Sequence, residues 1–269
     1  MIRISRTLSL VFFMSLFNNA LAENKIEVSL AYFGVVDDMA ALGVAQGLEE
    51  ANLQGEFLGQ KYSLKSYDPA QLITVPDVSA ILAALDEDGL RVLAKQNPGI
   101  PVFNLIEGSD ALRGDCVSDL FHVIPSQKMR GDAVAQWMQK NADSKVVADG
   151  WHGDFKKYAA SQVNKRFKQA HEKIMDDEAY AGWMAMKIIA DAVARTSSNE
   201  SEKLIAFMKK DLVMDGAKGL KMTFRSTGQL RQMMLLVEDG KIVGEAPVRG
   251  VVDTTDLETL GTLECVPCD

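Results

Sequence analysis

Few residues in this chain have the types and spacing to do chemistry. Cys265-Val266-Pro267-Cys268 carries a Cys-x-x-Cys spacing that invites a redox or zinc reading, and Cys116 is the third cysteine. A thioredoxin-type pair needs a helix N-terminus to lower its thiol pKa, and this pair follows no helix start. Zinc needs more thiolate or imidazole ligands than the sequence clusters. The expected role is a staple, Cys116 with Cys265 or Cys268, tying the tail to the first half of the chain and leaving one thiol over. His122, His152 and His171 show no metal-ligand spacing. There is no Gly-x-Ser-x-Gly elbow, no His-Glu-x-x-His and no Gly-rich phosphate loop. The chain therefore reads as a non-enzyme without cofactor or metal.

Residues suited to non-covalent recognition are more plentiful. Asp77 and Ser79 sit at a predicted helix start, where free backbone N–H groups hold anions, although both also suit ordinary caps. Asn104 and Glu107 follow a predicted strand and fit an amine or hydroxyl, as loop polarity also would. Phe33, beside Tyr32, supplies an apolar wall or core. Trp151-His152 reads as a packed or surface pair first and a ligand contact second, and Tyr180 and Trp183, three apart on one helix face, read as core spacing first and a ligand cage second. The expected ligand contacts are thus Phe33, Asp77, Ser79, Asn104, Glu107, Trp151 and Tyr180. Lys156, Lys157, Lys165, Arg166, Lys168 and Lys173 form a solvated basic face, or a contact for a quinone, a carboxylate or an acidic protein.

The elements that must position these residues alternate. Lys25–Phe33 is β-rich and Gly34 breaks it; Asp38–Leu53 is helical, with Asp37 or Asp38 as cap. Gln60–Tyr67 and Leu72–Val75 read as strands, Val78–Leu85 and Asp88–Gln96 as helices, and Pro101–Leu105 and Leu120–Ile124 as strands. Strand and helix in alternation imply a parallel sheet covered on both faces, with ligands received beyond the carboxyl ends of the strands at Gly34–Asp38, Pro76–Ser79 and Asn104–Ser109. One link departs from this. Only Asp68–Gln71 separates two predicted strands, too few for a parallel crossover, so either they are not parallel neighbours or a crossover helix is lost. Next come a helix Ser126–Lys140, a brief strand Lys145–Ala148, helices Phe155–Ile174, Ala179–Arg195 and Ser201–Lys210, and a three-stranded meander over 217–248. Its turns are Arg225–Gly228 and Glu238–Gly240.

Arg3, Arg6, the apolar run Leu8–Phe17 and Ala20-Leu21-Ala22 spell a secretory signal peptide cleaved after Ala22. The run is well short of the ~20 residues that span a bilayer, and no later segment reaches that length. The expected mature protein is exported, most simply to a periplasm, and is not inserted in a membrane. Losing two of the 29 basic residues leaves 27 against 37 acidic, a net charge of −10 in place of −8. Such a balance argues against nucleic-acid binding.

This order of elements resembles the type I periplasmic solute-binding proteins of the Leu/Ile/Val family, which serve ABC importers. The resemblance rests on Val28–Phe33 with Gly43–Asn52, on Pro101–Asn104, on Ile124-Pro125-Ser126 leading into Gly131–Trp137, on Tyr180–Arg195, and on Gly219–Gly240. A closer resemblance, to the branch associated with pyrroloquinoline-quinone-dependent alcohol catabolism, rests on Gly55–Gln60, Leu112–Cys116, Gln162–Phe167, Phe224-Arg225 and Gly228–Gln232. It implies an α/β fold of this type: one largely complete parallel-sheet lobe, a reduced and mostly helical second lobe, and a C-terminal antiparallel meander. The segments are 1–22 as signal peptide, 23–121 as first lobe, 122–210 as reduced second lobe and 211–269 as meander and tail. About a hundred residues of second lobe are missing between Trp137 and Trp151. The implied function is non-catalytic binding of a small solute, amino-acid-like or related to alcohol catabolism, in partnership with ABC transporter membrane subunits. The alternative is an accessory protein of a periplasmic quinoprotein alcohol dehydrogenase with little or no ligand binding.

Overall fold

A computed structural model of the protein describes residues 25–71 and 73–265; the expected signal peptide and Cys268 lie outside that range. The first half is built on a parallel sheet of β1 (Ile26–Phe33), β2 (Gln60–Tyr67), β3 (Ala80–Ala83), β4 (Val102–Asn104) and β5 (Leu120–His122), ordered β2-β1-β3-β4-β5. Alternation along β1 sends Val28, Leu30 and Tyr32 to one face and Ala31 and Phe33 to the other, and both faces are buried. The first face packs on α1 (Met39–Leu58) and α6 (Asp177–Thr196), and the second on α2 (Glu87–Gln96).

Helices α1 and α6 cross at small residues. A Cβ at Gly43 would lie 1.8 Å from the Ala179 carbonyl oxygen, and one at Gly182 2.3 Å from that of Ala40. Glycine is required there by close backbone approach. Along α6 the run Ala179–Met186 is buried throughout, as expected of a helix apolar on nearly every side.

Two expectations fail in the first half, for one reason. Val78–Leu85 is not a helix; its core, Ala80-Ile81-Leu82-Ala83, is the central strand β3, buried at every position. A four-residue apolar run covered on both faces carries no period that separates strand from helix. Residues 73–75 form no strand. The short-link puzzle then dissolves, because β2 and β3 flank β1 on opposite sides and the described residues between them, 68–71 and 73–79, are irregular. A crossover without a helix leaves Val75 and Val78 to cover that face.

Helix α3 (Asp110–Gly114) precedes β5, and beyond β5 stand α4 (Gln127–Met138), β6 (Val147–Asp149), α5 (Ala160–His171), α7 (Ser201–Lys210), β7 (Met234–Glu238) and β8 (Lys241–Ala246). Strands β6-β7-β8 form an antiparallel sheet, closed on one face by Met129 and Ala133 of α4 and by Leu260. The expected meander is realised only in its last two strands. Met222 and Phe224 make isolated bridges to Met214 and Leu230, and the third strand is β6, from the other side. A single apolar cluster still runs from β1 through α6 to Trp151, Leu230 and Leu235, so the two sheets share a core.

Candidate functional site

The carboxyl ends of β1, β3, β4 and β5 deliver four loops to one edge, and α1, α2, α3 and α4 begin there. Each start is capped by its own side chain: Asp38 accepts from Ala41 N at 2.7 Å, Asp86 from Gly89 N at 2.9 Å, Ser109 from Leu112 N at 3.4 Å and Ser126 from Met129 N at 3.0 Å. Asp176 caps α6 in the same way, through Ala179 N at 2.9 Å. The helix ends are thus already supplied with oxygen, and two of them with carboxylates on the sheet's own edge.

That edge is acidic. Tyr32 donates its hydroxyl to Asp38 Oδ1 at 2.9 Å, and burial, Asp38 and Glu178 raise its pKa. Burial raises Glu178, reinforced by Asp176, Asp38 and Asp177; burial also raises Asp176 and Asp149, each with Asp177 adding to it. Arg130 answers part of this charge, meeting Asp177 Oδ2 at 2.5 Å and Asp149 at 3.6 Å. An open depression of about 560 Å³ adjoins the edge, lined by Pro69, Ala70, Ala84, Leu85, Asp86, Asp88, Gly89 and Val92. Apolar floor and carboxylate rim suit a small amine or neutral hydroxyl solute better than a free carboxylate.

The seven expected contacts are not brought together. Asp77 and Ser79 lie at the amino end of β3, opposite the edge that holds Asn104, because the segment expected to start a helix there is a strand. Ser79 N donates to Ser29 O at 2.7 Å and its carbonyl accepts from Ser201 Oγ at 3.1 Å. Asn104 is at the correct edge but fully buried: its Oδ1 accepts from Ile106 N and Glu107 N, while its Nδ2 meets Glu107 O at 2.7 Å and His122 Nδ1 at 3.0 Å. It shapes the loop. Glu107 is half-buried and accepts from Ser109 N at 2.7 Å. Phe33 is buried and stacks on Tyr67 at 5.1 Å. Trp151 and Tyr180 stack at 4.4 Å in the core; Trp151 Nε1 donates to Asn164 Oδ1 at 2.8 Å and the Tyr180 hydroxyl to Gly216 O at 2.8 Å.

Sequence reasoning missed two buried polar junctions. Arg113, with no exposure, donates Nε to Gln229 Oε1 at 2.6 Å, Nη1 to Glu107 O and Ser109 O, and Nη2 to Ile124 O. Burial lowers its pKa to about 10, so it stays charged near neutrality. His122 beside it is held far below the ordinary histidine range by burial and by Arg113, and is neutral. In the second junction Lys218 is fully buried, donates Nζ to Gln232 Oε1 at 2.6 Å and Met233 O at 3.2 Å, and stands 4.5 Å from the Tyr180 ring centroid. Burial lowers its pKa to about 7. The available signal was two charged residues set among small and apolar neighbours, Leu112-Arg113-Gly114 and Ala217-Lys218-Gly219.

The structure bonds Cys116 to Cys265, with Cα atoms 5.5 Å apart. Among the described residues no group of three His, Cys, Asp or Glu is placed to hold a metal ion. None of their helices is long and apolar enough to cross a membrane.

A five-stranded parallel sheet edged by helix starts, sharing its core with a second, antiparallel sheet, defines a type I periplasmic-binding-protein-like fold. Solved structures carry the same architecture. A branched-chain amino acid ABC transporter periplasmic ligand-binding protein of Burkholderia xenovorans LB400 superposes with a TM-score of 0.69 at 13% identity, over 81% of this chain and 95% of that one. A branched-chain amino acid transporter substrate-binding protein of Streptococcus pneumoniae, in complex with isoleucine, gives 0.60 at 10% over 82% and 98%. A solute-binding protein of an ABC transporter from Rhodopseudomonas palustris BisB5, in complex with 3,4-dihydroxybenzoic acid, gives 0.64 at 10% over 81% and 94%. No family model and no curated protein matches the sequence. At such identities the likeness establishes the fold.

Proposed function

We propose that this chain is a periplasmic, non-catalytic solute-recognition component of an ABC importer, taking a small amine- or hydroxyl-bearing solute at the acidic carboxyl edge of the five-stranded sheet. The observation that carries the reading is the open depression between the end of β3 and the first turns of α2, rimmed by Asp86 and Asp88. Trp151 and Tyr180, expected as ligand contacts, are spent in the core, so one sheet edge does the holding. Without a second wall to close over the solute, binding is weak, in the high micromolar range or above. The relatives' solutes, isoleucine and 3,4-dihydroxybenzoic acid among them, mark the size class. Calorimetry against amino acids, short amines, alcohols and aldehydes tests the reading. Heat from an amine or alcohol that disappears in Asp86→Asn supports it, while sub-micromolar binding with compaction in solution scattering overturns the one-sided site.

A second reading, an accessory protein of a periplasmic quinoprotein alcohol dehydrogenase, is favoured by one observation. Leu53, Phe57 and Leu58 at the end of α1 are exposed, Phe57 at 89%. Loss of co-purification with such a dehydrogenase in Phe57→Ser, with solute binding absent throughout, would select it.

A further inference from the structure

Lys218 reaches the core by an unusual turn. Gly216, Ala217 and Gly219 all take left-handed backbone angles, with φ of 53°, 63° and 79°. Alanine is uncommon there, and such strain persists only where the surroundings fix it. A Cβ at Gly216 would strike Met222 and the Tyr180 hydroxyl, and one at Gly219 the Tyr158 ring. The turn is therefore clamped on both sides while it points the lysine inward.

What surrounds the ammonium is a complete set of partners. An ammonium has three N–H donors. Gln232 Oε1 and Met233 O accept from it at 2.6 and 3.2 Å, and the Tyr180 ring face stands 4.5 Å away. Tyr180 is backed by Trp151, stacked at an interplanar angle of 8°. Trp151 is held in turn by Asp177 Oδ1, which accepts its backbone N–H at 2.5 Å. Two carbonyl oxygens and a π face backed by a second aromatic make a recognised way to bind an alkylammonium.

We propose that Tyr180, Trp151, Gln232 and the Met233 carbonyl form a primary-amine site whose resident ligand is the chain's own Lys218, an internal amine that holds the approach to β7 against α6. The site stands whether or not a solute binds at the rim. It explains why the aromatic pair offers nothing to an external solute: the cage is filled.

Lys218→Ala deletes the atoms Cγ, Cδ, Cε and Nζ, the skeleton of propylammonium. Titrating n-propylammonium into this variant should raise its melting temperature and shift the Trp151 indole resonance, with affinity at least about tenfold above that for 1-propanol. Wild type and Lys218→Met should not respond. Equal response to both compounds, or to neither in a folded variant, overturns the proposal. If Lys218→Ala does not fold, the intact cage supplies the readout. In Tyr180→Leu the Lys218 pKa, followed by its 13Cε shift, should fall, while Tyr180→Phe should keep it; an unchanged pKa in Tyr180→Leu overturns the proposal. Because the probe and the readouts never involve the rim solute, failure here leaves the one-sided site to its own test.

Discussion

The two sheets of this protein are held by different means. In the five-stranded half, β1 and β3 are buried on both faces and α1 meets α6 through glycines, so area and close packing carry the structure. Around the three-stranded sheet, directed polar and covalent ties take over. Arg113 bonds Gln229, Lys218 bonds Gln232, and Arg225 donates to the Leu257 and Leu260 carbonyls at 2.8 and 2.9 Å while pairing with Glu258. Cys116 bonds Cys265. The contrast teaches that the junction between the halves depends on a few bonds between residues far apart in sequence, where the first sheet depends on burial.

The harshest way to break the contrast is to open the disulfide. It closes a loop of 149 residues, for which chain entropy assigns up to about 5 kcal/mol. Cys116→Ser, or reduction of the wild type, should lower unfolding free energy in denaturant by a large part of that. The lost exchange protection should fall first on residues 257–265. Equal loss in α1 and α6 would mean the halves are not held differently.

Next in size is the buried lysine. Lys218 has a folded pKa of about 7 against an ordinary value of 10.5, so between those limits the unfolded chain binds a proton that the native protein does not. Stability therefore rises with pH across that window, by up to about 5 kcal/mol relative to Lys218→Met, and the extra slope vanishes below it, where both states are protonated. Asp177 opposes the shift and Arg130 adds to it. Urea unfolding of the two proteins at pH 6, 8 and 10 measures the difference. A flat difference would show that the ammonium is not confined as the structure places it.

In the five-stranded half the sensitive point is close packing. Gly43→Ala puts a methyl into the Ala179 carbonyl oxygen, which is backbone and cannot swing away, so a loss of about 3 kcal/mol is expected from thermal or denaturant unfolding. That loss should be independent of pH and of reductant.

How much could be read beforehand divides along the same line. Alternation in Ile26–Phe33 and the caps at Asp38, Ser126 and Asp176 are local signals, and β1, α1, α4 and α6 follow from them. Strand β3 was hidden because Ala80–Ala83 is too short and too uniformly apolar to show a period. Two of the expected contacts were misplaced by that error. Taking 78–85 for a helix moved the expected helix start to Asp77 and Ser79, when the cap at the carboxyl edge is Asp86. The junction residues were illegible for another reason: a buried arginine or lysine is recognised only by partners far away in sequence, Gln229 for Arg113 and Tyr180 for Lys218.

The smallest effect separates the two ends of the sheet. Asp77 is exposed, with φ of 59°, a left-handed conformation that glycine adopts without strain. Asp77→Gly should therefore leave stability within about 0.5 kcal/mol of wild type, with relief of strain set against a more flexible unfolded chain. It lies at the amino edge, so solute binding should not change, whereas Asp86→Asn at the carboxyl edge removes a rim charge and keeps an oxygen to cap α2. Paired calorimetry on the two variants decides which end of the sheet faces the solute. Loss of binding in Asp77→Gly with retention in Asp86→Asn would move the site to the opposite edge and leave the depression beside α2 without a role.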